Sequence, residues 1–281
     1  MTIKIVTDST ADLPDTLIKE LDITVVPVYL RFGNEVYRDR VDISEDDFYE
    51  RLLHDPIHPS TTQPTPQDFT SVYNKLSGEA DGIISIHISS KLSGTYNSAV
   101  QGEKMTSKEC PIEIIDTQTV SIALGLIVIK ASKMAKSGMS LQQIVDELGK
   151  NTHNVHILML FDTLKYLAKG GRIGKAKALL GSVLNVKPVL GIKDGELVPV
   201  SQVRIRAKGI DKLFDFVKNA TDIQDLAVVH STTPDEAQAM VESMSSIFSK
   251  ERTVLARLGP ALGVHGGPGV LAIALREKGL T

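Results

Sequence analysis

Two α/β domains, each with a mainly parallel sheet flanked by helices and with the ligand between them, are what this sequence predicts. Three observations carry the expectation. Short apolar runs such as Ile3 to Val6, Gly82 to Ile88 and Val155 to Phe161 alternate with segments whose apolar residues recur at helical spacing. A chain of 281 residues has room for two medium domains. A polar piece, Gly149 to Asn154, breaks the pattern near the middle and divides the chain into residues 1–152 and 153–281.

The elements follow in order. Ile3 to Val6 is a strand with Asp8-Ser9-Thr10 at its carboxyl end, where ligands gather in open α/β sheets. Asp12 and Pro14 start a helix to about Leu21, and Ile23 to Leu30 forms a second strand before a turn at Gly33-Asn34. Ser44-x-x-Asp47 opens a helix with Phe48, Leu52 and Leu53 on its apolar side. The segment His58 to Asp68 carries too many prolines for a strand interior, and Thr65-Pro66-x-Asp68 starts the helix Pro66 to Leu76. After the strand Gly82 to Ile88 comes a helix from Tyr96 to Lys108, then a strand Ile112 to Ile115. Thr119 to Lys136 is a long helix apolar on most of its surface, hence buried. Ser140-x-x-Gln143 caps the next helix. In the second half, Val186 to Ile192, Asp194-Gly195 and Leu197 to Val203 form a hairpin, and Thr233-Pro234 opens a helix.

Composition excludes several functions. A net charge of −3 gives no reason to expect nucleic acid. Cys110 is the only cysteine, so no internal disulfide forms, which suits a reducing cytoplasm. The apolar run Ile122 to Ile129 is too short to span a bilayer, and Met1 leads straight into a strand rather than a signal peptide. A cytoplasmic protein without stable membrane insertion is expected. Gly174-Lys175 lacks the first P-loop glycine and has Ala176 in place of the magnesium-binding hydroxyl. The glycines at 267 and 269 precede no βαβ unit, and His153-x-x-His156 lacks companion metal ligands, so no metal or cofactor is expected.

Two stretches carry chemistry. In Ser89 to Thr95, a buried strand runs through a hydroxyl-rich turn with Gly94 into a helix start. Free N–H groups and the helix dipole make such a turn an anion site, to which Ser93 and Thr95 add hydroxyl donors. The bland alternative is a simple helix cap. Ser60-Thr61-Thr62 is a second hydroxyl cluster at a helix entrance. Two neutral donor loops suit one carboxylate or phosphate. From Thr163 to Lys193 seven basic residues occur with no acidic one, a series that Arg204, Arg206 and Lys208 extend. That set could dock an acidic protein surface.

Thr7 to Pro14, Ser60 to Thr65, Ser89 to Thr95, Leu167 to Ile173 and Gly259 to Gly269 come in an order that resembles the DegV family from end to end. The resemblance implies a DegV-like (EDD) fold and a bacterial carrier of long-chain fatty acids such as palmitate, with no catalytic residue of its own. It also implies a partner, a separate ATP-binding DAK-like fatty acid kinase that phosphorylates the bound carboxylate for phospholipid metabolism. By resemblance, Thr61 or Thr62, Ser93 with Gly94 and Thr95, and His265 hold the carboxylate. Arg172 and Arg204, or Arg206 in its place, serve partner docking or the head-group network.

The tail contributes about 0.8 kcal/mol per buried methylene, so fifteen give roughly 12 kcal/mol before association costs. The head group gains little net, so it sets orientation. Two other functions fit the same residues: an acyl-transfer or hydrolytic enzyme using Ser93, His265 and Asp116, and a binder of phosphorylated small molecules.

Overall fold

The computed structural model describes residues 1–107, 109–179 and 186–278. Its first sheet is fully parallel, in the order Ile23–Val26, Ile3–Asp8, Gly82–His87, Ile112–Asp116. The two central strands are buried with almost no alternation, because both their faces are covered. Helices Pro66–Leu76 and Thr95–Lys104 lie on one face. The expected end of the second of these, Lys108, lies outside the described residues. The opposite face packs on the helix Ile122–Lys136.

That helix organises the molecule. Its other side rests on the second sheet, against Val155–Leu160, Ile223–His230 and Leu271–Glu277. With a sheet on either side, every residue from Ile122 to Ile129 is buried. The largest hydrophobic cluster runs through the helix from one sheet to the other.

The second sheet has the order Glu196–Val203, Lys187–Lys193, Val155–Leu160, Leu271–Glu277, Ile223–His230, Val254–Arg257. The expectation that it is mainly parallel is corrected. Only the Ile223–His230 pairing with Val254–Arg257 is parallel, and the other four pairings are antiparallel. The reason is non-local: the last strand returns between two earlier ones and reverses the direction at the sheet's centre. The expected hairpin is present, with Asp194 at φ 52° and Gly195 at φ 78°, the left-handed pair that matches strand twist.

A small third sheet of Tyr29–Phe32, Glu35–Arg38 and Ser60–Thr62 packs on the helix Glu45–His54. Here two expectations change. Pro27 splits the predicted strand Ile23 to Leu30 into two, each serving a different sheet. Ser60–Thr62 is a strand after all, because Pro59 and Pro64 bracket it rather than interrupt it.

Candidate functional site

The central strands Ile3–Asp8 and Gly82–His87 lie where the strand order reverses, and their carboxyl ends open into loops 9–14 and 88–94. That crevice is where open α/β sheets bind ligands. The second sheet's loops close over it. Ser89 Oγ donates to the Gly195 carbonyl at 2.8 Å, and Lys91 Nζ to that of Asp194 at 2.6 Å.

Between the two sheets is a cavity with about 820 Å³ of atom-free space, part of it open to solvent at the mouth. Its lining is divided. Thr61, Gln63, Ser93, Arg172 and His265 make one group. Most of the remainder is apolar, including Ile88, Val120, Met159, Phe161, Leu197 and Leu258.

In the polar group, Thr61 Oγ1 and His265 Nε2 are 2.9 Å apart. His265 is on the short helix Pro260–Gly266, not in the glycine-rich loop the sequence suggests. Its Nδ1 is buried with no hydrogen-bond partner. Burial, then the positive charge of Arg172, then His58, push the imidazole down to about 4. It is therefore neutral at pH 7. The Thr61–His265 pair then shares two polar hydrogens and spends one on its own hydrogen bond. With the ring hydrogen on Nε2, His265 donates to Thr61 and the Thr61 hydroxyl hydrogen remains for a ligand; on Nδ1 it would lie on the buried side of the ring, against Gly170.

Ser93 Oγ lies 2.8 Å from the hydroxyl of buried Thr95 and accepts from the Thr95 N–H. Thr95 begins a ten-residue helix with no acidic residue in its first turn, so the dipole there favours an anion. Gly94 packs against the Gln63 side chain, with no space for a Cβ between them. Arg172 is exposed at the mouth.

Some expected residues are placed elsewhere. Thr62 is exposed, because neighbours on a strand point to opposite faces and Thr61 takes the inward one. Arg204 is exposed on a separate cleft with Ile205 and Lys208. Arg206, suggested for docking or the head-group network, is engaged with acidic residues on its own side of the molecule. Its guanidinium donates to Glu236 at 2.6 Å and 2.8 Å, to Asp162 at 2.9 Å and to the Gly269 carbonyl at 2.7 Å. Arg206 is thus a brace within the second domain. The Ser93, His265 and Asp116 grouping is not assembled either. His265 pairs with Thr61, Ser93 with Thr95, and Asp116 accepts from the Ser90 and Gln118 N–H groups.

Sequence reasoning missed Gln63 and Ser121 as lining residues, and gave Thr10 a ligand-gathering position without a role. For Thr10, its place at a strand's carboxyl end was the signal. Behind Thr10 and Ser121 lie buried carboxyl groups. Asp12 is hydrogen-bonded to Ser121 Oγ at 2.5 Å and accepts from the Gly259 N–H at 2.8 Å. Asp39 accepts from the Ala261 N–H at 3.3 Å. Burial raises Asp12 to about 8 and Asp39 to about 7, despite those hydrogen bonds and nearby Arg40.

The DegV family model matches residues 2–278. A DegV domain-containing protein of Caldanaerobacter subterraneus is 35% identical over 280 residues, covering 98% of this chain and 99% of its own. Two solved structures are also similar. A fatty-acid-binding DegV family protein of Thermus thermophilus superposes with a TM-score of 0.90 at 32% identity, covering 99% of this chain and 100% of its own. A stearic-acid-binding protein of Eubacterium ventriosum gives 0.89 at 26% identity, covering 98% of each chain.

Proposed function

This chain belongs to the DegV family, and from that membership and the shape of the cavity we propose that it binds a long-chain fatty acid. The carboxylate sits at the Thr61, Ser93 and His265 end, and the tail lies between the sheets. The observation that carries the reading is a single cavity with hydrogen-bond donors gathered on one part of its wall and apolar side chains over most of the rest. Relatives described as fatty-acid-binding support it.

The donors suit an ionised carboxylate. One hydrogen from the Thr61–His265 pair, the Ser93 hydroxyl and the helix N-terminus at Thr95 offer neutral or dipolar stabilisation, and Arg172 adds charge at the mouth. A carboxylate held this way is buried without being unpaired. It also keeps its nucleophilicity, since no ammonium or guanidinium locks both oxygens. We propose that the protein, in the cytoplasm, presents this group to a separate ATP-using kinase that docks near Arg172 and Arg204. A carboxylate oxygen forms the new bond to the γ-phosphorus, and ADP leaves.

Organic extraction of the purified protein followed by mass spectrometry tests the binding step. A stoichiometric long-chain acid is the expected result, and a protein that carries only phosphorylated solutes contradicts the reading.

A further inference from the structure

Thr10 and Ser121 are polar residues in the part of the wall that a hydrocarbon chain would touch. Both are almost wholly buried, at 4% and 2% exposure. Valine or alanine would serve an unadorned acyl chain equally well and would need no hydrogen-bond support. Instead, each hydroxyl is fixed by a buried carboxyl group. Thr10 donates to Asp8, which is itself held by His87 Nδ1 at 2.9 Å and the Ile88 N–H at 3.3 Å. Ser121 pairs with Asp12 at 2.5 Å. Ser121 also holds φ 59° and ψ −148°, a conformation costly for any residue with a side chain.

A hydroxyl has one hydrogen and two lone pairs. Thr10 spends its hydrogen on Asp8 and keeps accepting capacity. Burial keeps the Asp12 carboxyl protonated, so Asp12 supplies the hydrogen of its bond to Ser121, and Ser121 keeps its own hydrogen for a ligand. A ligand group that both donates and accepts satisfies the two together, and an alcohol does so.

The helix Pro260–Gly266 measures how far along a ligand this occurs. Gly259, at its start, donates to Asp12 beside Ser121, and His265 is near its end. Six residues of helix span about 9 Å, which passes the carboxylate and its first few methylenes.

We propose that Thr10 and Ser121 form a second polar station in the cavity, which accepts long-chain acids carrying a hydroxyl near mid-chain. The inference rests on the reading of the cavity as an acyl-chain site. It makes the chain a carrier for oxygenated as well as plain fatty acids, with selectivity set by where the hydroxyl falls.

The test uses the delipidated full chain and competition binding with three probes: stearate, a mid-chain hydroxystearate and 3-hydroxystearate. Wild type is expected to bind mid-chain hydroxystearate within about threefold of stearate and to disfavour the 3-hydroxy isomer. Thr10→Val and Ser121→Gly each remove one partner, the second while suiting the local backbone. Each should lower the affinity for mid-chain hydroxystearate relative to stearate about tenfold, the effect of leaving a buried hydroxyl unpaired. Retained stearate binding certifies that a variant is folded, and either variant alone suffices. Strong rejection of mid-chain hydroxystearate by wild type, or an unchanged ratio in the folded variants, overturns the inference while leaving the acyl-chain reading intact. Failure of wild type to bind any of the three overturns both.

Discussion

A methyl group on Gly170 would overlap the His265 imidazole, so the backbone of the loop after Leu167 is itself a wall of the head-group end. Gly170→Ala should displace the ring, break its 2.9 Å contact with Thr61 and cost about 1–3 kcal/mol, the usual range for overpacking. Chemical denaturation of the delipidated protein would measure it, and an unchanged midpoint would contradict the packing. Removing a donor acts differently. Thr61→Val and Ser93→Ala should each lower fatty-acid affinity by less than about tenfold, because one exchanged hydrogen bond is worth roughly 0.5–1.5 kcal/mol against the far larger contribution of the tail. Complete loss of bound lipid in Ser93→Ala would contradict this division of labour. His265 adds a pH signature. Its imidazole protonates near 6.5 when unfolded and at about 4 when folded. The unfolded chain therefore binds more protons between those values, and this residue's contribution to stability is lost as pH falls through that window. His265→Gln should flatten the acid limb of a stability–pH profile measured without ligand.

The loop at Asp12 and the helix Pro260–Gly266 form one unit, and their response to pH has the opposite sign. Asp12 and Asp39 titrate near 3.8 when unfolded, but burial holds them at about 8 and about 7 in the fold. The folded state binds more protons between those limits, so stability is full below about 4 and lost as pH rises through the folded values. Asp12→Asn keeps an acceptor for Gly259 and offers Ser121 an N–H. It should abolish much of that alkaline loss, on the order of a few kcal/mol, in urea melts at about pH 6 and pH 9. Equal slopes for variant and wild type would show that the carboxyl does not titrate there. Elements of this kind are legible in sequence only where the evidence is local. The turn Ser89 to Thr95 was readable because a strand, a glycine and a helix start lie within a dozen residues. Thr61 and Thr62 could not be told apart until the short strand fixed which faced inward. Gln63, Met159 and Phe161 gave no signal as lining, because a pocket side chain and a core side chain have the same composition. The antiparallel second sheet escaped for a related reason: its central pairing joins residues 155–160 to 271–277, which no local pattern connects.

At the level of the whole molecule, the helix Ile122–Lys136 is shared by both sheets, and the cavity lies beside its start. Bonds between the two halves surround the cavity. Besides Ser89 with Gly195 and Thr61 with His265, Tyr49 donates to the Leu258 carbonyl at 2.9 Å, and Asp12 accepts from Gly259 at 2.8 Å. A ligand there touches side chains from both halves at once, so its binding energy should stabilise them together rather than one at a time. Ligand in a thousandfold excess over Kd adds about 4 kcal/mol to unfolding, with no contribution from the unfolded chain. For a protein of this size that corresponds to a rise in Tm on the order of 10 °C. Delipidation should therefore lower Tm by that order, and stearate should restore it in a concentration-dependent manner. Because neither sheet can lose the shared helix and keep its core, calorimetry should show one transition with and without ligand. Two transitions, only one of them moved by stearate, would mean that the tail is held by one half alone and that the cavity between the sheets is not its site.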